Sequence, residues 1–239
     1  MKQNGRIIRG LWGIKDDSHR ILKRRYRMDN NLKTLLSNKF YNTLPPAIDY
    51  VWGIENFNYL KALGLPDVRL VCKDPYQFAL KEEQYRHKGE LLRIAMEDDG
   101  YDTILHLDYD IYPTKPFPKD IWEVMSRKES LQGNLQNYKH RKCNWREEDS
   151  HTVINGGALY IRDKTIPSQI IKTWEGEWND NKKSYEPALM KWLDEKYGKW
   201  IGKDEYRRLH ELEVIALRRN PVFKKDTNDY CMIHYAGGG

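Results

Sequence analysis

The apolar run Ile104-Leu105-His106-Leu107 stops abruptly at Asp108-Tyr109-Asp110, and this boundary constrains the fold more than any other part of the chain. A short apolar run bounded by polar residues reads as a buried strand, and a strand alternates its side chains between two faces. If the backbone stays extended through the triplet, both carboxylates face one way and Tyr109 faces the other. Two hard oxygen donors then converge beyond the carboxyl end of the strand, where open α/β sheets hold their ligands. An Asp-x-Asp match by itself arises about once by chance in a chain so rich in acids, so its surroundings carry the reading.

Those surroundings alternate strand and helix. Ile7 to Ile14 reads as a first strand, followed by a helix capped at Asp16-Asp17-Ser18 that carries Ile21, Leu22 and Tyr26, and by a segment with Leu32, Leu35 and Leu36. Ile48 to Trp52 is a second strand; a short helix from Glu55-Asn56 through Leu60 and Leu63 stops at Gly64, and Val68 to Cys72 is a third strand. From Arg86 to Met96, Lys88, Leu91, Leu92 and Ala95 share one stripe of a helix that ends at Asp98-Asp99-Gly100, just before the Thr103 to Leu107 strand. Pro113, Pro116 and Pro118 exclude regular ladder pairing after the acidic pair and turn the chain. Further on, Ala158 to Ile161 reads as a strand, Ile166, Ile170, Ile171, Trp174 and Trp178 as a helical face, and Leu189, Trp192, Leu193 and Tyr197 as another. Tyr230 to Tyr235 is the last strand and leads into Ala236-Gly237-Gly238-Gly239. This order predicts an α/β fold with a mixed, mainly parallel sheet flanked by helices.

Composition limits what such a sheet can belong to. With 239 residues, 39% of them hydrophobic and 32% charged, the chain builds one substantial core, so a single domain over 1–239 is expected. A net charge of +6 favours anionic ligands in general without choosing among nucleotides, nucleotide-sugars, nucleic acid or an anionic surface. Cys72, Cys143 and Cys231 are three, widely spaced and without a Cys-x-x-Cys pair, which indicates neither a disulfide framework nor a zinc site and points to a reducing compartment. The first residues, Met1 to Arg6, lead only into Ile7-Ile8 and then Arg9, too short an apolar stretch for a signal peptide or a membrane span. A cytoplasmic protein without an integral membrane segment is expected.

Three pieces of the chain fit one chemistry. Asp108 and Asp110 offer oxygen ligands to Mn²⁺ or Mg²⁺, or form a pair of solvated turn acids. His234 closes an apolar strand before a glycine run, where an imidazole can complete a Mn²⁺ site and backbone N–H groups near Gly237 can meet a diphosphate; the other reading is a structural histidine. Asn155-Gly156-Gly157 introduces the Ala158 strand and permits a close backbone approach to a ligand, or makes an ordinary Asn-Gly turn.

In this order the pieces resemble the metal-dependent glycosyltransferases of the GT-A fold. The resemblance spans most of the chain and rests on five stretches. These are His87-Lys88, Thr103 to Asp110, Asn155 to Arg162, Tyr185-Glu186-Pro187-Ala188-Leu189 and His234-Tyr235-Ala236-Gly237-Gly238. It implies a nucleotide-binding part over about 1–115 and a sugar and acceptor part over about 116–239. It assigns Asp108, Asp110 and His234 to the cation on the donor diphosphate, with Tyr109 between them in the donor-binding motif. Lys88, with Arg86 as substitute, would meet the nucleotide or its phosphates. Asn155, Gly156 and Gly157 would line the donor sugar, Gly237 the diphosphate, and Trp12 and Gly13 the base. In the retaining families that the second half resembles, an acidic pair or an Asp-Gln pair opens the helix at 185–186. Here it reads Tyr185-Glu186, which removes the first acid but keeps a carboxylate, Glu186, placed to act as nucleophile or to stabilise an oxocarbenium-like centre. A plain helix-terminal glutamate is the other reading. Trp145, within the polar segment Asn134 to Ser150, is the candidate acceptor contact, or part of a surface loop.

The implied reaction is transfer of a hexose from a nucleotide diphosphate sugar, a UDP-sugar and UDP-glucose first, to a glycan or other hydroxyl acceptor with retention, and no nucleic acid partner is expected. Two other readings exist. A haloacid-dehalogenase-like phosphotransferase also places Asp-x-Asp after a strand, but near the start of its chain. A non-catalytic nucleic-acid or glycan-binding module would use Lys23-Arg24-Arg25-Tyr26-Arg27 and Tyr138-Lys139-His140-Arg141-Lys142, runs that more commonly form solvated faces.

Overall fold

A computed structural model describes residues 5–13, 28–75, 86–127, 130–137, 152–177, 214–216 and 231–234. Six strands form the main sheet: β1 (Gly5–Leu11), β2 (Ala47–Trp52), β3 (Val68–Cys72), β4 (Thr103–Leu107), β6 (Leu131–Asn137) and β7 (Thr152–Ile161), in the spatial order β3-β2-β1-β4-β7-β6. A second sheet has the order β5-β9-β8, from β5 (Ile111–Pro113), β8 (Val214–Ala216) and β9 (Met232–His234). In the main sheet β3, β2, β1 and β4 run parallel, and only β7 runs against the rest. The helices are α1 over 28–36, α2 (Ile54–Ala62), α3 (Arg86–Arg93), α4 (Ile121–Ser126) and α5 (Ile166–Glu177).

Strand parity decides where each of these helices packs. Ile8, Ile48, Tyr50, Trp52 and Ile104 rise to one face and are covered by Leu91 and Leu92 of α3 and Ile166 and Ile170 of α5. Leu11 and Val51 descend to the other face, where they meet Leu32 and Leu35 of α1 and Leu60 of α2. Ile7, Leu105 and Leu107 share that side with Ile121 and Met125 of α4 and Met232 of β9. Both faces are therefore dry, as a sheet with parallel crossovers requires. The short helices end where the sequence says. Past the α2 C-cap Leu63, Gly64 takes φ +78°, and the N–H groups of Gly64 and Leu65 donate to Lys61 O and Leu60 O, a Schellman closure. The stripe predicted over Arg86 to Met96 is α3 followed by a π-helical turn, Ile94–Asp98, that ends before Gly100 at φ +73°.

Four expectations change. The first strand ends at Leu11, leaving Trp12 and Gly13 beyond it. The strand expected from Ala158 begins at Thr152, so Asn155-Gly156-Gly157 lies inside β7 rather than in a turn before it; Asn155 pairs with Asn134 of β6 next to a register shift at Gly133/Asn134. The first four residues of the supposed acceptor loop, Asn134 to Asn137, are likewise strand. Pro113 does not prevent pairing, because β5 is an edge strand and Pro113, its last residue, sits opposite Met232. The helix expected after Asp16-Asp17-Ser18, the stripe from Leu189 to Tyr197, and Ile14 and Trp178 lie outside the described residues.

The strand order defines where a ligand would bind. From β1 the chain steps outward to β2 and β3, then crosses back to β4 on the other side of β1. The carboxyl ends of β1 and β4 are thus the topological switch point, and Trp12-Gly13 and Asp108 follow those two ends.

Candidate functional site

The acidic triplet is not extended. β4 stops at Leu107, and the Ile111 N–H donates to the Asp108 carbonyl at 3.1 Å, closing a turn over 108–111 of the kind that favours Asp at its first position. The turn, rather than strand alternation, brings the two carboxylates together. Tyr109 nonetheless keeps the parity of Leu105 and Leu107 and passes beneath the sheet. It is buried, and its hydroxyl donates to Asp49 Oδ1 at 2.7 Å. Asp49 in turn accepts from Arg9 Nε at 2.8 Å and a guanidinium NH₂ at 2.9 Å, a bidentate pair between facing residues of β1 and β2. The Arg9 guanidinium lies over the Tyr109 ring, 5.5 Å from its centroid. Burial, with the Asp49 charge adding to it, raises the Tyr109 phenol well above its ordinary range, so it remains a donor. For Arg9, burial opposes the charge and Asp49 outweighs it, leaving the guanidinium more firmly protonated than usual.

Asp108 has the parity of Ile104 and His106 and turns upward toward α3. Its oxygens receive Lys88 Nζ at 3.1 and 3.2 Å, and the same ammonium donates to Gly156 O at 3.1 Å. His106 Nε2 stands 3.4 Å from Asp108 Oδ1. Burial alone would raise the Asp108 carboxyl; Lys88 first, then His106 and His234, outweigh it and hold it below the usual range. His106 itself is fully enclosed, and that desolvation pushes its pKa down to about 3, so its ring is neutral. The Asp108 N–H donates to Gly157 O at 2.8 Å, fastening the motif to β7.

The third member of the cluster comes from the second sheet. Antiparallel pairing of β5 with β9 sets His234 opposite Ile111, the residue after Asp110. His234 Nε2 faces Asp110 Oδ1 at 3.2 Å, yet that oxygen, sealed from solvent, accepts no hydrogen bond among the described residues. One donor atom each from Asp108, Asp110 and His234 lies within 4.8 Å of the others. Ligands on adjacent corners of an octahedral ion with bonds near 2.1 Å are about 3 Å apart, so the Asp110–His234 spacing is compatible with a shared cation. Two carboxylate oxygens and one imidazole nitrogen are a donor set that could hold a divalent cation.

Aromatic rings wall the side beyond β1. Trp12 stacks on His87, with centroids 5.5 Å apart and planes 7° apart, and Trp52 meets both rings edge-on. Gly10 makes this possible, since a Cβ there would stand 2.9 Å from the Trp12 ring and from Leu91. Gly13 donates to Pro75 O at 3.1 Å. The structure thus gathers Trp12, Gly13, Lys88, Asp108, Asp110, Gly156, Gly157 and His234 around the switch point, turns the Tyr109 side chain away, and places Asn155 in β7. Trp145, Glu186 and Gly237, like the two basic runs, lie outside the described residues. Sequence reasoning gave no role to Arg9, Asp49, His87 or His106. The signal for the first two is opposite charges inside two apolar-rich strands, Arg9 of β1 and Asp49 of β2.

No protein-family model and no curated protein matches the chain. Solved structures do. Mouse xyloside xylosyltransferase 1 aligns over 96% of this chain and 97% of its own with TM-score 0.53 and 11% identity. The galactosyltransferase LgtC aligns over 98% and 87% with TM-score 0.51 and 15% identity. A glycosyltransferase involved in glycosylation of the major capsid of PBCV-1 aligns over 98% and 94% with TM-score 0.51 and 11% identity. The chain spans 55% of the length of the glycosyltransferase GlyE of Streptococcus pneumoniae TIGR4. These likenesses show the fold, that of the GT-A glycosyltransferases, as the sequence resemblance implies; they do not favour a haloacid dehalogenase arrangement. No helix among the described residues is long and apolar enough to cross a membrane.

Proposed function

We propose that this protein is a cation-dependent glycosyltransferase that moves a hexose from a nucleotide diphosphate sugar to an acceptor hydroxyl with retention. The observation that carries the reading is the convergence of Asp108, Asp110 and His234 at the switch point of a GT-A fold. The neighbours' names include a galactosyltransferase and a xylosyltransferase, which supports a sugar donor and leaves the sugar open; UDP-glucose is the first to try.

The residues divide the work by position. Asp108, Asp110 and His234 would hold Mn²⁺ or Mg²⁺. When bound, such an ion supplies Lewis acidity toward a diphosphate leaving group. Lys88 orients the Asp108 carboxylate and keeps it ionised, and its ammonium adds positive charge beside the place where a leaving diphosphate develops negative charge. The Trp12–His87 stack at the end of β1 offers a flat apolar wall for a nucleotide base. Gly156 and Gly157, held against Lys88 and Asp108, line the sugar side, with Asn155 beside them. Glu186 is assigned the catalytic carboxylate under the anomeric carbon, Gly237 a backbone contact to the diphosphate and Trp145 an acceptor contact. In this reading residues 1–115 handle the nucleotide and 116–239 the sugar and acceptor, in the cytoplasm.

Calorimetry with UDP and UDP-sugars, with and without Mn²⁺, tests the proposal. Binding that requires the cation is expected, and metal-independent binding or none would reject it. Glu186→Gln is expected to leave donor binding intact and to lower the transfer rate by at least 100-fold; wild-type rates would remove Glu186 from the chemistry.

A further inference from the structure

We propose that the buried Arg9–Asp49–Tyr109 assembly is a positioning device that sets the distance between the two carboxylates of the cation site. The inference rests on the reading of that site as a cation-dependent donor pocket. Tyr109 is the residue between the two proposed ligands, so the backbone that carries its side chain also carries Asp108 and Asp110. Its side chain reaches under β1 to a carboxylate on β2, crossing the strand that separates β4 from β2. The turn, which its own Ile111 to Asp108 bond closes and the Asp108 N–H bond to Gly157 O fastens to β7, is thereby tied to the centre of the sheet as well.

The assembly is more elaborate than stability requires. Replacing a buried ion pair by apolar residues of similar size is neutral or stabilising in many proteins, because desolvation of both charges offsets their attraction. What the pair provides is direction. Asp49 is completely buried, and two bonds from the Arg9 fork leave its Oδ1 in one fixed place to accept from Tyr109. The ring is clamped from above by the same guanidinium. A phenylalanine at position 109 would fill the space but could slide and rotate; the hydroxyl fixes how far the turn projects toward His234. The assembly touches neither cation nor donor, so its effect passes entirely through the turn.

The test uses the full chain and the EPR signal of free Mn²⁺, titrated with and without UDP. Tyr109→Phe deletes one hydroxyl and leaves the Arg9–Asp49 pair in place. Its Mn²⁺ dissociation constant in the presence of UDP is expected to rise about tenfold or more, as for other groups that orient metal ligands. Hydrogen exchange at the Ile111 amide is expected to accelerate with it. Ile170→Val, which loosens the core on the opposite face, serves as the control for general destabilisation and is expected to stay within about twofold of wild type in both measurements. Wild-type affinity in Tyr109→Phe, or equal losses in the two variants, overturns the positioning role while leaving the donor pocket standing. Failure of the wild-type chain to bind Mn²⁺ with UDP rejects the pocket, and this inference with it.

Discussion

Two cation–carboxylate pairs lie a strand apart in this molecule, and they have opposite characters. In the first, Asp49 receives two bonds from Arg9 and one from Tyr109, and nothing in the group reaches solvent. In the second, Lys88 holds both oxygens of Asp108, but the Asp108 side chain is 33% exposed and neighbouring Asp110 keeps a sealed oxygen without a hydrogen bond among the described residues. A buried polar network with every valence met is a fixture. One that leaves donor atoms converging and unmet is a candidate for holding a ligand. Charge and burial alone do not separate the two pairs; how fully their carboxylate oxygens are bonded does.

The contrast can be broken most forcefully at the closed pair. Asp49→Ala leaves a guanidinium buried without its counter-charge and should cost about 3–5 kcal/mol in urea denaturation. The triple replacement Arg9→Met, Asp49→Leu and Tyr109→Phe should recover most of that loss, yet its Mn²⁺ affinity should stay at the level of Tyr109→Phe. Recovery of both would make the fixture purely structural. At the open pair the signs reverse. Asp110→Ala should change folding stability by less than about 1 kcal/mol, because it removes a partly exposed group with no hydrogen bond at its sealed oxygen. Cation-dependent UDP-sugar binding should fall by about 100-fold or more, since a direct ligand matters at least as much as its supports.

The smallest effect belongs to a third pair, on the surface. Asp29 of α1 meets Lys33 at 2.6 Å and the Tyr59 hydroxyl at 2.8 Å, and these bonds, Lys33 first, lower its carboxyl below the ordinary value. A folded value below the unfolded one contributes stability that is present above the ordinary carboxylate range and is lost as pH falls through the lowered value. Lys33→Ala should therefore shift the urea midpoint at pH 7 by little more than measurement error, and by nothing in strong acid. A large shift would place this exposed pair with the framework.

Much of this was legible in the residues. The β-α-β order and the apolar parity of Ile7 to Leu11, Ile48 to Trp52 and Ile104 to Leu107 gave the parallel core, because periodicity records which face is buried. Asp108, Asp110 and His234, which the structure brings together, were legible singly as possible donors and as one set only through the resemblance. The Arg9–Asp49 pair was not, because a charged residue in a strand looks solvated until both faces of the sheet are known to be covered. β6 was not, because Leu131 to Asn137 contains no β-branched residue and takes its strand conformation from pairing with β7. The short strand β5 hid behind Pro113, whose missing N–H excludes a central position but not an edge, whereas β9 lies within the last strand expected over Tyr230 to Tyr235.

The arrival of His234 on a separate sheet has a consequence for assembly. The Asp108–Asp110 turn follows β4 of the main sheet, whereas the imidazole arrives only when β9 docks along β5, a contact between distant parts of the chain. An ion held by all three would bind the docked state and not the undocked one, and by mass action would favour it. Under this reading the ion acts as a clasp between the two sheets, and its uptake by a growing chain would mark the moment at which the last strand had closed.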